Sequence, residues 1–170
     1  MLKKIRVQII TDRHEMAGSL YETPMGALLP DMDESDLPKA ETEHMEMTVE
    51  ASYHDDGERI CIRYKESELS GMEGSTTSVS FRKNDPAMIS MLRDGTVKTA
   101  LIFEQSKRHL CIYKTQIMPF EVCVYTRSVD NRIETDGTLR MDYAVELRGA
   151  QAERTEFLMR VLPAFDRPNR

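Results

Sequence analysis

The sequence predicts an all-β fold: a closed or nearly closed antiparallel up-and-down β-barrel of about 8–10 strands. Three observations predict it. Apolar and polar residues alternate with period two in one segment after another. Turn sequences rich in Asp, Asn and Gly separate those segments at short spacing. No trustworthy stretch carries the 3.6-residue periodicity of an amphipathic helix.

The first strand is expected over residues 2–12, with Ile5, Val7 and Ile9 on one face. Then the pattern breaks. Between His14 and Glu43 stand Gly18, Pro24, Gly26, Pro30 and Pro38, with the acidic run from Asp31 to Asp36. Proline and glycine at that density end regular strands, so 14–43 is expected to be an acidic loop insertion. Leu28, Leu29 and Leu37 give it apolar anchors. Two readings stay open: a segment docked on a basic rim that includes Arg82, Lys83, Lys107 and Arg108, or a mobile solubilising loop.

From residue 44 the alternation is clean. Met45, Met47, Val49, Ala51 and Tyr53 share one face, and Asp55-Asp56-Gly57 turns the chain. Ile60, Ile62 and Tyr64 mark the next strand, and Val79 and Phe81 the one after it. Asn84-Asp85-Pro86 is expected to turn into a strand over 87–93, and Asp94-Gly95 to turn out of it. Val97, Thr99, Leu101 and Phe103 alternate next. Ser106-Lys107-Arg108 then leads into 109–115. Phe120, Val122 and Val124 make a further strand. Leu139, Met141, Tyr143, Val145 and Leu147 alternate strictly after Asp136-Gly137, and Gly149-Ala150 turns into a last strand with Phe157, Met159 and Val161. Residues 163–170 are a polar tail. A meander of this length leaves exposed edges unless it splits into a sandwich or closes, and closure removes the edges.

A chain of 170 residues suits a single β-barrel domain spanning 1–170. No apolar run is long enough to span a bilayer, and no apolar h-region follows the first charges. The three cysteines, Cys61, Cys111 and Cys123, lie inside β-like runs without a CxxC pair, which points to reduced thiols and a cytoplasmic location. If the strands around 110–115 and 120–126 form a hairpin, Cys111 and Cys123 could face each other. Net charge is −6 and unevenly spread: residues 13–75 hold 16 acidic against 5 basic side chains, and residues 76–170 hold 12 against 15. An acidic chain is a poor nucleic-acid binder, because phosphate contacts need a basic surface.

Several features recur in a familiar order. Tyr64-Lys65-Glu66 ends an early strand, and Thr76-Thr77 with Val79 opens the next. Met91-Leu92-Arg93-Asp94-Gly95 ends an aliphatic strand in Arg-x-Gly. Phe103 lies mid-strand, Tyr113-Lys114-Thr115 ends its successor, and Pro119-Phe120-Glu121 re-enters the sheet. Gly137-x-Leu139-x-Met141-x-Tyr143-x-Val145 is the late alternating strand. In this order the chain resembles the YwiB-like family of small bacterial proteins over about residues 44–162, plus the first strand. The resemblance implies a calycin-like, lipocalin-related barrel and carries no activity, because that family is a domain of unknown function. The chain departs from the pattern at Gln116-Ile117-Met118, where a glycine is common, and at Thr155-Glu156, where an asparagine is.

Chemical motifs are sparse. Asp31-x-Asp33-x-Ser35 starts like a calcium loop, but Asp36 replaces the turn glycine and Thr42 the bidentate glutamate. His14, His44, His54 and His109 show no metal-ligand spacing, so neither metal nor cofactor is expected. One constellation stands out: Tyr64, Glu66, Arg93 and Tyr113, each at a strand end. With Phe103 and Tyr143 it makes the candidate ligand-binding set; no catalytic residue is assigned. Its plainer reading is a structural Glu66–Arg93 ion pair among amphipathic core tyrosines. The leading function is a non-catalytic barrel for a small, apolar or amphipathic ligand. The others are an interaction module using the acidic insertion and an enzyme using Glu66, Tyr64 and Arg93. A homo-oligomer is compatible with all three.

Overall fold

Strict alternation along the chain is realised as a closed sheet. In the computed structural model, residues 1–15, 41–147 and 150–163 are described, those at 150–152 by their backbone only. Among the described residues, ten antiparallel strands run β1 Leu2–Glu15, β2 Thr42–Asp55, β3 Arg59–Lys65, β4 Thr76–Arg82, β5 Asp85–Asp94, β6 Lys98–Glu104, β7 Arg108–Lys114, β8 Pro119–Arg132, β9 Thr138–Leu147 and β10 Ala150–Leu162. Each pairs with its sequence neighbours, and β1 pairs with both β2 and β10, which closes the barrel. The sheet therefore ends in no free edge strand, the reason closure was expected.

Odd and even positions separate inside from outside. Val7, Ile9, Met47, Ile60, Ile62, Val79, Phe81, Ile89, Met91, Leu101, Phe103, Val124, Leu139, Met141, Phe157 and Met159 are buried in one core, with Met45, Val49 and Val145 packed against it. Each fully buried aliphatic or aromatic side chain contributes roughly 1.5–3 kcal/mol. A slip of one residue in any strand would turn that strand's share outward.

Several boundaries differ from the sequence reading. β1 runs three residues further, to Glu15, because β10 pairs Arg13 with Thr155 while β2 pairs it with Glu43. The β4–β5 turn is Lys83-Asn84, so Asp85 and Pro86 begin β5 at an irregularity in the ladder. β8 continues past Thr126 through a bulge between Thr126 and Ser128. There the β6–β7 turn leans on β8: the Ser106 N–H donates to the Thr126 carbonyl at 2.8 Å, and the Thr126 N–H to that of Lys107 at 3.2 Å. The β6–β7 ladder itself registers only at Lys98↔Lys114 and Thr99↔Tyr113. A short 3-10 turn, Glu68–Ser70, closed by Gly71 at φ 70°, interrupts the path from β3 to β4.

The cysteines are free. Cys111 pairs with Val122 and Cys123 with Leu110, one position out of step, so Cys111 is buried inside while Cys123 faces outward. The suggested facing of the two thiols is corrected by that register.

The meander defines two rims. The upper rim carries the ends of β1, β3, β5, β7 and β9 and the starts of β2, β4, β6, β8 and β10; the lower rim carries the opposite ends. Glu15 and Glu41 meet at the upper rim, where the Glu15 N–H donates to the Glu41 carbonyl at 3.0 Å. Residues 16–40, with the calcium-like sequence and the expected docking segment, lie outside the described residues, as does the tail after Pro163. The four basic residues named for that docking lie towards the lower rim. There Lys83 reaches Asp55 at 2.6 Å, Lys107 reaches Glu104 at 2.6 Å, and Arg108 reaches Glu146 at 3.3 Å.

Candidate functional site

The interior changes character towards the upper rim. The inward series Ile60-Ile62-Tyr64 continues to Glu66 just past β3; Ile89-Met91 continues to Arg93; Phe103-Leu101, read upward, continues to Thr99; Ile5-Val7-Ile9 continues to Thr11 and Arg13. Neighbouring strands bring these groups side by side. Tyr64 pairs with Thr77, Thr77 with Arg93, Arg93 with Thr99, and Thr99 with Tyr113. Across the closing seam, Tyr143 pairs with Thr155 and Thr155 with Arg13.

Apart from Thr77 and Thr99, which lie outside the lining, these polar groups meet at a cavity of about 200 Å³ whose apolar wall includes Ile9, Met45, Met47, Met91, Leu101, Val145 and Phe157. Its polar wall is Thr11, Arg13, Tyr64, Glu66, Arg93, Tyr113, Tyr143, Glu153 and Thr155. A cavity of about 150 Å³ already admits a benzene ring.

Glu66 is the deepest charge, with 2% of its side chain exposed. It accepts a 2.5 Å hydrogen bond from the Thr77 hydroxyl, and Arg93 Nη2 lies 3.6 Å away. Arg93 Nε donates to Thr77 Oγ1 at 3.3 Å, so the hydroxyl links the two charges. The Glu66 N–H donates to the Ser75 carbonyl at 2.8 Å. Gly95 makes that arrangement possible: a Cβ there would lie 2.7 Å from Ser75 Cα. Arg13 Nε stands 3.3 Å from Glu153, close enough for attraction but not aligned as a hydrogen bond. Glu153 in turn accepts from Thr155 Oγ1 at 3.1 Å. Among the described residues the buried hydroxyls of Thr99 and Thr126 have no hydrogen-bond partner, and neither lines the cavity.

Burial, with the Glu66 charge second, pushes the Tyr64 phenol far up. Burial also raises Tyr113, and pushes Tyr143 up to about 12. All three are therefore neutral hydroxyls at ordinary pH, suited to donating hydrogen bonds and unsuited to acting as bases. The buried Glu66 carboxylate is held by its two partners and is not solvent-reachable.

Of the six residues singled out in the sequence, Tyr64, Glu66, Arg93, Tyr113 and Tyr143 meet at this cavity. Phe103 does not line it: fully buried, it packs against Tyr143 with ring centroids 4.6 Å apart. The plain Glu66–Arg93 ion pair is also present. Arg13, Thr11, Thr155 and Glu153 were missed. The available signal was an inward apolar series turning polar at the same end of several strands. Among the described residues there is no cluster of His, Cys, Asp and Glu able to hold a metal ion. Likewise, no helix there is long and apolar enough to cross a membrane.

Fold and site define the class: an all-antiparallel, ten-stranded up-and-down barrel with a polar-walled cavity beneath one rim. The family model described as "Domain of unknown function (DUF1934)" matches residues 32–159, and the chain belongs to that family. Among solved structures it is similar to the crystal structure of the ywiB protein from Bacillus subtilis, with a TM-score of 0.64 at 13% identity over 96% of each chain. That likeness supports the barrel and bears out the YwiB-like resemblance. No curated protein matches the chain.

Proposed function

We propose that the protein is a non-catalytic barrel that binds a small, partly apolar ligand in the cavity beneath its upper rim. The carrying observation is the division of that cavity into an aliphatic wall and a wall of hydroxyls and charges. The raised tyrosines and the enclosed Glu66 carboxylate favour binding over acid–base chemistry. Free cysteines support a cytoplasmic site of action.

Methyl-labelled methionines test the reading. Met45, Met47 and Met91 line the cavity, whereas Met159 is buried outside its lining. Titration with hexanol and with hexanoate is expected to shift the first three resonances and leave Met159 in place. Shifts spread evenly over all buried methionines, or none, would refute it.

A further inference from the structure

We propose that a cleft on the outer wall of β1–β3 binds a compact polyanion: a short run of phosphates, free or carried on a nucleoside. It is a second site, independent of the interior cavity. The net charge of −6 hides a local excess of the opposite sign. Strand alternation buries Val7, Ala51, Ile62 and Tyr64 and turns their neighbours outward: Lys4 and Arg6 on β1, Glu50 and Ser52 on β2, Arg63 and Lys65 on β3. Register sets these in two rows. Lys4 lies beside Ser52 and Ser52 beside Arg63; Arg6 lies beside Glu50, with Lys65 two residues beyond Arg63. Alternate residues of a strand are about 7 Å apart and neighbouring strands about 5 Å, so the four cations mark the corners of a rectangle of roughly 7 by 10 Å. They line an open cleft of about 980 Å³, in which Glu50 is the one acid.

These cations are not consumed by the fold. Among the described residues, eight lysines and arginines reach a carboxylate, and Lys4, Arg63 and Lys65 are not among them. Arg63 is nevertheless held in place: its Nε donates to Ser78 Oγ at 3.1 Å, which fixes the guanidinium and leaves its terminal N–H groups for a ligand. Ser52 and Thr76 add hydroxyls to the lining. A cleft walled by one sign of charge concentrates ions of the other. The geometry also selects the class of anion. Long basic stems converging from four corners can all engage a compact polyanion, whereas a lone carboxylate meets one or two. Acidic peptides that bind sheets typically add to an edge strand, and this sheet closes on itself. A single nucleic-acid strand needs aromatic platforms for its bases, and the one aromatic residue in the lining, Tyr64, is 3% exposed. Phosphates use the arginine fork, the lysine charge and the hydroxyls together.

Calorimetry with tripolyphosphate tests the site, with adenosine triphosphate, hexaglutamate and an oligothymidylate as comparisons. Tripolyphosphate is expected to bind at about 0.01 M ionic strength and to weaken about tenfold or more at about 0.15 M, as the Debye length falls from roughly 30 to roughly 8 Å. Arg63→Ala and Lys65→Ala, both exposed and folded by circular dichroism, are each expected to weaken it about fivefold or more. Glu50→Gln is expected to tighten it, and Arg140→Ala, an exposed arginine on β9, to leave it unchanged. Adenosine triphosphate binding tighter than tripolyphosphate assigns a nucleotide; equal binding assigns the free phosphate chain. Hexaglutamate or the oligothymidylate binding tighter than both, or indifference to Arg63→Ala and Lys65→Ala, overturns the proposal. So does binding that appears only after Asp31→Asn, Asp33→Asn, Glu34→Gln and Asp36→Asn, because the chain's own acidic run is then the occupant.

Discussion

Removing the Arg93 charge gives the sharpest test of the polar layer. Arg93→Met keeps the aliphatic stem and leaves Glu66 with 2% of its side chain in solvent and one remaining hydroxyl partner. At 3.6 Å and an effective dielectric of 20, the lost attraction is about 5 kcal/mol gross. Breaking a buried pair from one side typically costs 3–5 kcal/mol. The low end applies here, because 17% of the Arg93 side chain is exposed and the 2.5 Å bond from Thr77 survives. The expected loss is therefore about 3 kcal/mol, or roughly 6–12 °C in Tm for a chain of this size. Urea unfolding followed by circular dichroism and tyrosine fluorescence measures it, in a chain without tryptophan. The doubly substituted Glu66→Gln, Arg93→Met leaves no charge at this pair and is expected to return to within about 1 kcal/mol of wild type. A loss under about 1 kcal/mol in the single variant, or a double variant no better than the single, would refute the claim of a desolvated pair.

Three further outcomes are expected. Gly95→Ala places a Cβ against Ser75, the residue whose carbonyl holds the Glu66 N–H, and should destabilise by more than about 1 kcal/mol in the same urea assay. His44 lies 2.5 Å from Asp12, whose hydrogen bond and charge raise its pKa above 6.5; a proton titration by NMR should show this, and Asp12→Asn should abolish it. The sign follows: that pair is fully favourable below the unfolded histidine pKa and is lost as pH rises through the raised folded value. Denatured protein should titrate three thiols with or without reductant, and in the native state Cys111, buried and pushed up in pKa, should alkylate after Cys123.

The strands were legible because each needs only its own alternation. Met45 to Tyr53 and Leu139 to Leu147 declare which face is wet without any neighbour. What depends on pairing was not. Thr126 ends its strand by local pattern, yet the β6–β7 turn bonds to it and β8 continues through a bulge. Cys111 and Cys123 look opposed until the register is known to one residue. Phe103 and Leu101 share an inward face, and nothing local says which sits beside the cavity and which beneath it. Arg13 joins Tyr143 only through Thr155, a meeting that needs the two ends of the barrel to close.

That closure also sets an order of events during synthesis. β1 is made first, yet one of its two partners, β10, is made last: Thr11 pairs with Phe157, and Val7 with Val161. Each hairpin from β2 to β9 can zip locally as it emerges, whereas the closing ladder must bring together segments separated by most of the chain. Until β10 leaves the ribosome, a nascent β1–β9 sheet has two bare edges, and one of them is β1 itself. Ribosome-stalled chains cut short before residue 150 should therefore aggregate or recruit holding chaperones, and chains carrying the whole of β10 beyond the exit tunnel should resist protease.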